Sequence, residues 1–346
     1  MKSWDQRIHL SFGLGASGFD IRRLTLEFLD SLPDWVKVKT QKISNIGLSV
    51  LRNNESKAAL FPRHILSRLF PFDPLKNHHP TPISIALLTS DKDLGVLPFS
   101  IASLKYAATN PIIILNIICP SHSKQKVKEI LREVASLVDF EIALSTDEEI
   151  LSNAGLNHIH FVSSVAKMET LKLVIGYQST SPILILDGDT LLLRPRNWIS
   201  NSLQITPVAQ EYFLGHKNFS ERLLNYPIQT GLGYVTHHAL FVPEQIRHII
   251  GVVGGVQKLA NEINTGIEKG WTLQPEFPSE WQIYGDSLFT TASPTRSVPA
   301  NFSNIGINRK ILGITGEISQ ADCITLLNRI KTSAPALGSI SFHDYK

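Results

Sequence analysis

Short runs of branched aliphatic residues alternate along the chain with longer segments in which apolar residues recur every three or four positions. Runs of this length are typical of buried strands, and the longer period is typical of amphipathic helices. From residue 83 onward the two kinds of segment alternate, which predicts an α/β fold with a mostly parallel sheet flanked by helices. The predicted strands are Ile83–Leu88, Ile112–Ile118, Phe140–Leu144, His158–Val162 and Ile183–Leu186, and the predicted helices are Pro98–Ala108, Ser123–Leu137 and Val165–Tyr177.

Residues 1–80 do not follow this alternation. They contain a short strand-like stretch, an amphipathic segment at Asp20–Leu32 and the beginning of a proline-rich linker, Asp73–Pro82. The sequence therefore predicts an N-terminal accessory extension of unknown role, 1–80, followed by one large domain, 81–346. We divide that domain into two halves, 81–195 and 196–346.

Composition narrows the class of protein only modestly. Of the 346 residues 43% are hydrophobic and 18% are charged, and the formal net charge of +3 is too small to argue for a nucleic-acid partner. Cys119 and Cys323 lie too far apart for a metal motif, and two cysteines do not make a disulfide framework. No apolar run is long enough to cross a bilayer, and no signal peptide is recognisable. We therefore expect a cytoplasmic protein, with peripheral membrane association left open.

The most informative motif is Asp187-Gly188-Asp189, which directly follows the predicted strand Ile183–Leu186. Ligands of parallel sheets bind beyond the carboxyl ends of the strands, where this motif is expected. Residues i and i+2 of an extended chain point the same way, so both carboxylates can face one ligand. Their hard oxygens suit Mg²⁺ or Mn²⁺ holding a diphosphate. The alternative interpretation is an ordinary Asp-Gly turn between two strands.

A longer segment around this motif resembles a known family. The stretch SSVAKMETLKLVIGYQSTSPILILDGDTLLLRP, residues 163–195, is similar to the core of GT-A-type glycosyltransferases, in which a helix with a Leu-Lys-Leu step precedes Asp-x-Asp-Thr and then Arg-Pro. Farther on, QEYF, GYVTHHALF and SEWQIYGDSLF resemble, in this order, segments of a largely uncharacterised bacterial family of GT-A-like transferases. The resemblance covers about residues 82 to 300 and leaves 1–80 unexplained.

The resemblance implies a GT-A-like, Rossmann-like fold in which residues 81–195 bind a nucleotide-sugar donor and 196–346 build the acceptor side. The sugar would pass to a hydroxyl of a glycan or lipid-linked acceptor, as in surface polysaccharide synthesis. Asp187 and Asp189 would bind Mn²⁺ or Mg²⁺. Thr89 and Asp91 would meet the nucleoside, and Lys172 would neutralise a phosphate. Turn capping and a solvated lysine are the structural alternatives for these three.

Histidines and further carboxylates complete the candidate set. In an alternating strand His237 and His238 face opposite sides, so at most one reaches the site, and we assign His237 to the metal. His343 is similar in position to the late metal-binding histidine of some GT-A enzymes. Glu280 and Asp286 are the candidate catalytic carboxylates that would activate the acceptor hydroxyl of an inverting transferase. A plain helix start and a turn are the alternatives for these two residues.

Two rival functions remain open. A haloacid-dehalogenase-type phosphatase would use Asp187 as its nucleophile. However, Leu191 stands where that motif has Thr or Val, and no acid follows Asp286 within Ser287–Ser293. The second rival is a non-catalytic GT-A-like domain that binds glycan or nucleotide. The sequence does not determine the donor sugar, the acceptor or the stereochemical outcome.

A glycine motif near the N-terminus is a weaker signal. Residues 13–18 match G-x-G-x-x-G, which in dinucleotide-binding proteins is followed by an acidic residue at the end of the next strand. The next strand-like segment, Trp35–Thr40, ends without a carboxylate. We interpret the motif as a glycine-rich turn.

Overall fold

The computed structural model describes residues 75, 78–135, 138–209, 213–228, 232–268, 276–291, 294–299, 302–304 and 339–341. The expectations for most of the N-terminal region, for the glycine motif at 13–18 and for His343 lie outside these residues.

Strands and helices alternate through most of the described chain. The strands are β1 (Ile83–Leu88), β2 (Ile112–Cys119), β3 (Glu141–Thr146), β4 (Ile183–Asp187), β5 (Thr190–Leu192), β6 (Ile199–Ser200), β7 (Leu203–Val208), β8 (His238–Phe241), β9 (Thr295–Pro299), β10 (Phe302–Asn304) and β11 (Ser339–Ser341). The helices are α1 (Leu97–Ala107), α2 (Lys124–Val134), α3 (Asp147–Asn153), α4 (Ser164–Gln178), α5 (Leu214–Leu224), α6 (Pro243–Val253), α7 (Val256–Glu268) and α8 (Glu280–Ser287).

The central sheet has five strands in the order β3-β2-β1-β4-β8. The first four are parallel, and β8 runs antiparallel to β4. The last residue of β1, Leu88, pairs with Ile118 of β2 on one side and with Asp187 of β4 on the other. This alignment brings the carboxyl ends of the central strands to one edge. The predicted mostly parallel sheet flanked by helices is confirmed.

Helices cover the sheet because its central strands are apolar on both faces. All six residues of β1 are buried, and the core includes Leu97, Ile101 and Leu104 of α1 together with Leu115 of β2. Helix α4 is buried from Thr170 to Gly176 and packs on α6, α7 and α8. None of the described helices combines the length and the apolar character needed to cross a membrane.

Two small sheets extend the core. One has the order β6-β7-β9, and the other has the order β10-β11-β5. In the second sheet β11 runs antiparallel to β5, and Ser341 pairs with Thr190. Because β5 begins directly after Asp189, this pairing brings a strand from near the C-terminus beside the Asp-Gly-Asp motif.

Between residues 83 and 187, one predicted strand is wrong and one helix is missed. Residues 158–162 form no strand. Two of their backbone groups bond to the side chain of Asn264 in α7 instead of to a neighbouring strand: the Val162 N–H donates to its oxygen (2.9 Å), and the His160 carbonyl accepts from its amide (3.1 Å). Helix α3 begins with a capping box, in which Thr146 and Glu149 bond to each other's backbone N–H. This signal was present in the sequence.

Two helical glycines differ in how closely other side chains pack against them. A Cβ atom at Gly285 of α8 would lie 2.2 Å from Cγ of Tyr234, whereas a Cβ at Gly251 of α6 would meet nothing within 4 Å. We expect Gly285→Ala to lower the free energy of unfolding by about 1–3 kcal/mol through overpacking. Gly251→Ala should raise it by about 0.5–1 kcal/mol, since alanine favours a helix over glycine. Urea unfolding measures both, and similar effects of the two variants would contradict this packing.

Candidate active site

The loop after β4 lies directly against the end of β1. The Gly188 N–H donates to the Leu88 carbonyl at 2.6 Å, and the Gly188 carbonyl accepts from the Ser100 hydroxyl at 2.9 Å. A Cβ atom at position 188 would lie 2.6 Å from the Leu88 oxygen and 2.7 Å from Cα of Thr89. Only glycine fits this approach, which fixes the two flanking aspartates at the carboxyl edge of the sheet. We call Asp187 and Asp189 the acidic pair.

Asp187 is held by a donor on each carboxylate oxygen. The Lys172 ammonium lies 2.6 Å from Oδ1 of Asp187. The Nδ1–H group of His237 donates a hydrogen bond to Oδ2 at 2.8 Å. The His237 carbonyl also accepts the Asp187 backbone N–H at 3.1 Å. His237 makes both contacts in a left-handed conformation, with φ at 57°. This conformation is strained for a non-glycine residue, at a cost on the order of 1 kcal/mol or more.

Lys172 connects Asp187 to one of the predicted catalytic carboxylates. Its Nζ atom lies 2.5 Å from Oε1 of Glu280 and 4.4 Å from the centre of the Trp281 ring. Burial by itself would lower the pKa of Lys172, but the charges of Asp187 and Glu280 outweigh it and raise that pKa above its usual value. The ammonium is therefore charged and bridges α4, β4 and α8.

Two further features surround this bridge. Glu280 is the first residue of α8, and Ser279 caps that helix by accepting the Gln282 N–H. Glu169 lies one helical turn before Lys172 and is buried. Burial first, and the charge of Glu280 second, raise the pKa of Glu169 well above its usual value. Sequence reasoning missed Glu169, although its i, i+3 spacing from Lys172 places both on one face of α4.

Asp189 is almost completely buried, with 4% of its surface exposed. Its Oδ1 atom accepts a hydrogen bond from the Ser341 hydroxyl of β11 at 3.1 Å. Asp93 lies near enough to feel its charge: burial first, and the charge of Asp189 second, raise the pKa of Asp93 to about 6. Sequence reasoning missed both neighbours. The Ser-x-x-Asp capping pattern of Ser90 and Asp93 was a usable signal for Asp93. Nothing local in the sequence indicated Ser341.

The two residues predicted to meet the nucleoside diverge. The hydroxyl of Thr89 is buried beside Gly188 and has no hydrogen-bond partner among the residues described. Asp91 turns toward the end of β2, where it accepts from the Ser123 hydroxyl (2.7 Å) and lies 3.2 Å from Nε2 of His122. The Ser123 hydrogen bond lowers the pKa of Asp91. Of the two aspartates Asp91 and Asp93, Asp93 is the one whose carboxyl interacts with the charge of Asp189.

His238 and Asp286 do not join this cluster. His238 packs edge-on against Trp198 and donates from Nδ1 to the Thr236 carbonyl (2.7 Å), and burial lowers the pKa of His238 to about 3. Asp286 has no exposed surface, and neither of its carboxyl oxygens has a hydrogen-bond partner within the described chain. Burial raises the pKa of Asp286 to about 8, and nearby Gln282 and Ser220 counter this only in part.

The donor set around the acidic pair suits a cation that is also held by a ligand. Within the described ranges no three His, Cys, Asp or Glu side chains converge into a ready metal site, so the expected set of Asp187, Asp189 and His237 stays a prediction. Mg²⁺ is commonly held by one or two carboxylates together with substrate phosphates, and two aspartates at a sheet edge match that donor set. A cation would also offset the repulsion between Asp93 and Asp189.

Comparison with known proteins gives similarity to solved structures alone. No protein-family model matches the sequence, and no curated protein is similar to it in sequence. Mouse xyloside xylosyltransferase 1 in its apo form aligns with a TM-score of 0.41 at 10% identity, over 75% of this chain and 97% of its own. The galactosyltransferase LgtC, in complex with donor and acceptor sugar analogues, aligns with a TM-score of 0.40 at 14% identity, over 75% of this chain and 87% of its own. The glycosyltransferase GlyE of Streptococcus pneumoniae TIGR4 aligns with a TM-score of 0.40 at 10% identity, over 76% of this chain and 55% of its own.

The buried carboxyl of Asp286 has a consequence for stability. Between pH 4 and 8 the unfolded state has lost this proton while the folded state keeps it, so the unfolded state binds fewer protons and stability falls as pH rises. Asp286→Asn mimics the neutral acid and removes this dependence. We expect the variant to match the unaltered protein near pH 4 and to exceed its free energy of unfolding by several kcal/mol near pH 8.

Urea unfolding across this pH range measures the difference, with Asp139→Asn as the control because Asp139 is exposed. A constant difference between the Asp286 variant and the unaltered protein from pH 4 to 8 would show that this carboxyl is ionised in the fold.

Proposed function

We propose that this chain is a metal-dependent GT-A-type glycosyltransferase that moves a sugar from a nucleotide-sugar donor to the hydroxyl of a glycan or lipid-linked acceptor. The observation that carries the proposal is the location of the acidic pair. Asp187 ends a central strand of a mostly parallel sheet, beside the end of β1, where open α/β sheets bind their ligands. The resemblance of residues 163–195 to the GT-A core supports the same function.

The acidic pair would hold Mn²⁺ or Mg²⁺. When bound, the ion supplies charge stabilisation to the leaving nucleoside diphosphate. His237 is a candidate third ligand, because its imidazole lies beside Asp187, with Nδ1 2.8 Å from Oδ2, and a neutral imidazole nitrogen is a common metal ligand. Without an ion, the same imidazole orients Asp187 by its hydrogen bond.

Glu280 and Lys172 would act on the transferred sugar and its acceptor. Glu280 would accept the proton of the attacking hydroxyl, with the Lys172 ammonium balancing its negative charge at 2.5 Å. Lys172 also lies against Asp187 and would bring a positive charge toward the donor phosphates. Trp281 covers the ammonium and limits its access to water. Because Lys172 contacts both Asp187 and Glu280, we expect it to affect the binding of the donor and the activation of the acceptor.

The nucleoside would lie at the end of β1. Thr89 contributes a buried hydroxyl beside Gly188, and Asp93 a buried carboxyl that faces Asp189. Asp91 remains a candidate on the outer side of this loop, next to His122. Together these residues would surround the ribose and base while the acidic pair faces the diphosphate.

Thermal unfolding against a panel of nucleoside diphosphates, with and without Mn²⁺, tests this function. We expect one diphosphate to raise the melting temperature by a few degrees only when Mn²⁺ is present. Asp187→Asn and Asp189→Asn should abolish the shift, while Asp139→Asn on the surface should keep it. No response to any nucleotide would contradict the proposal. A response without sugar transfer from the matching nucleotide-sugar would indicate a binding domain.

The two candidate catalytic carboxylates can be separated by isosteric amides. If Glu280 is the base, Glu280→Gln should lower kcat roughly 10²–10⁴-fold while Mn²⁺ and diphosphate binding persist. Asp286→Asn should then stay within a few-fold of the unaltered enzyme, because the raised pKa of Asp286 keeps its carboxyl neutral and this carboxyl lies outside the cluster around Lys172. Steady-state transfer rates measure both, and the opposite ranking would assign the catalytic role to Asp286.

A further inference from the structure

The Asp189 carboxylate is contacted by a side chain 152 positions away in the sequence. The Ser341 hydroxyl donates to Oδ1 of Asp189 at 3.1 Å. Ser341 is completely buried, and Asp189 is nearly so. A hydrogen bond between two buried groups, one of them a carboxylate, restricts the rotation of that carboxylate more than a solvent-exposed contact would.

The fold creates this contact through strand pairing. Strand β11 runs antiparallel to β5, with Ser341 opposite Thr190, the residue that follows Asp189. On its other side β11 pairs with β10. The hydroxyl therefore reaches Asp189 only when the strand near the C-terminus has docked beside the strand that continues from the acidic pair.

The two members of the acidic pair are oriented by different kinds of donor. Asp187 is held by the Lys172 ammonium, which adds a positive charge. At Asp189 one donor is the neutral hydroxyl of Ser341, which orients the carboxylate without repelling a cation. Removing a side chain that hydrogen-bonds to a metal ligand and orients it typically lowers metal affinity 10- to 100-fold.

We propose that Ser341 is a positioning residue for Asp189, so that cation binding at the acidic pair depends on the docked strand β11. This inference rests on the proposed function, because it requires that the acidic pair binds a divalent cation. It adds a specific role for the region near the C-terminus, which the sequence motif at 187–189 does not indicate.

The chain offers a matched control on the same strand. Ser339 lies two residues earlier, on the same face of β11, and is also completely buried. Its hydroxyl has no hydrogen-bond partner among the described residues. Ser339→Ala therefore removes the same atom from the same strand without touching the acidic pair, and it reports any general effect on the docking of β11.

The experiment measures Mn²⁺ affinity of the full chain by electron paramagnetic resonance, together with the melting temperature without metal. We expect Ser341→Ala to weaken Mn²⁺ binding about 10-fold or more, with Ser339→Ala unchanged and both melting temperatures similar. Ser341→Thr, which keeps the hydroxyl, should restore most of the affinity. Equal Mn²⁺ affinities for Ser341→Ala and Ser339→Ala would overturn the inference.

A second measurement uses the unaltered protein and does not depend on how a variant folds. If β11 helps Mn²⁺ to bind, Mn²⁺ must stabilise β11 by the same factor. Hydrogen exchange of a peptide that covers 339–341 should therefore slow when Mn²⁺ and the preferred diphosphate are added, and unchanged exchange would count against the inference. Absence of Mn²⁺ binding to the unaltered protein would instead overturn the metal-dependent transferase proposal and this inference with it.

Discussion

The buried ammonium of Lys172 is the constraint on which the site depends. It joins α4 to the end of β4 through Asp187 and to the start of α8 through Glu280. Taking these charges out of water costs several kcal/mol per ion, and removing one partner of such a pair typically costs about 3–5 kcal/mol because the other is left uncompensated. The three elements are therefore held at a fixed mutual distance, and that distance sets the spacing between the acidic pair and Glu280.

The charge around this lysine is unbalanced toward the negative. Two carboxylates, of Asp187 and Glu280, contact the one ammonium group, and the carboxyl of Glu169 interacts with all three charges. Burial and the charge of Glu280 raise the pKa of Glu169, which favours its neutral form and limits the excess of negative charge. A similar crowding occurs between Asp93 and Asp189, where burial and repulsion raise the pKa of Asp93. A concentration of buried acids at a sheet edge is costly for stability alone, and it is the arrangement expected where a divalent cation and an anionic ligand meet.

Backbone geometry at two points keeps the acidic pair in place. Gly188 allows β4 to approach β1 more closely than any side chain would permit, and His237 takes a left-handed conformation to contact Asp187 with both its backbone and its ring. The two residues that flank His237 are also fixed, since the side chains of Thr236 and His238 each donate a hydrogen bond to the other's backbone carbonyl. Local strain of this kind is typical of functional sites.

The central strands β1, β2 and β4 and the position of the acidic pair could be predicted from the sequence. Their apolar runs are recognisable because buried parallel strands are continuous in hydrophobicity, and the Asp-Gly-Asp motif lies where the last of these runs ends. Which distant residues converge on that motif depends on the tertiary fold. Local periodicity carries no information on pairing across 108 residues, as between Lys172 and Glu280, or across 152, as between Asp189 and Ser341. It also could not separate Asp93 from Asp91, since the turn after β1, rather than the spacing, determines which carboxylate faces inward.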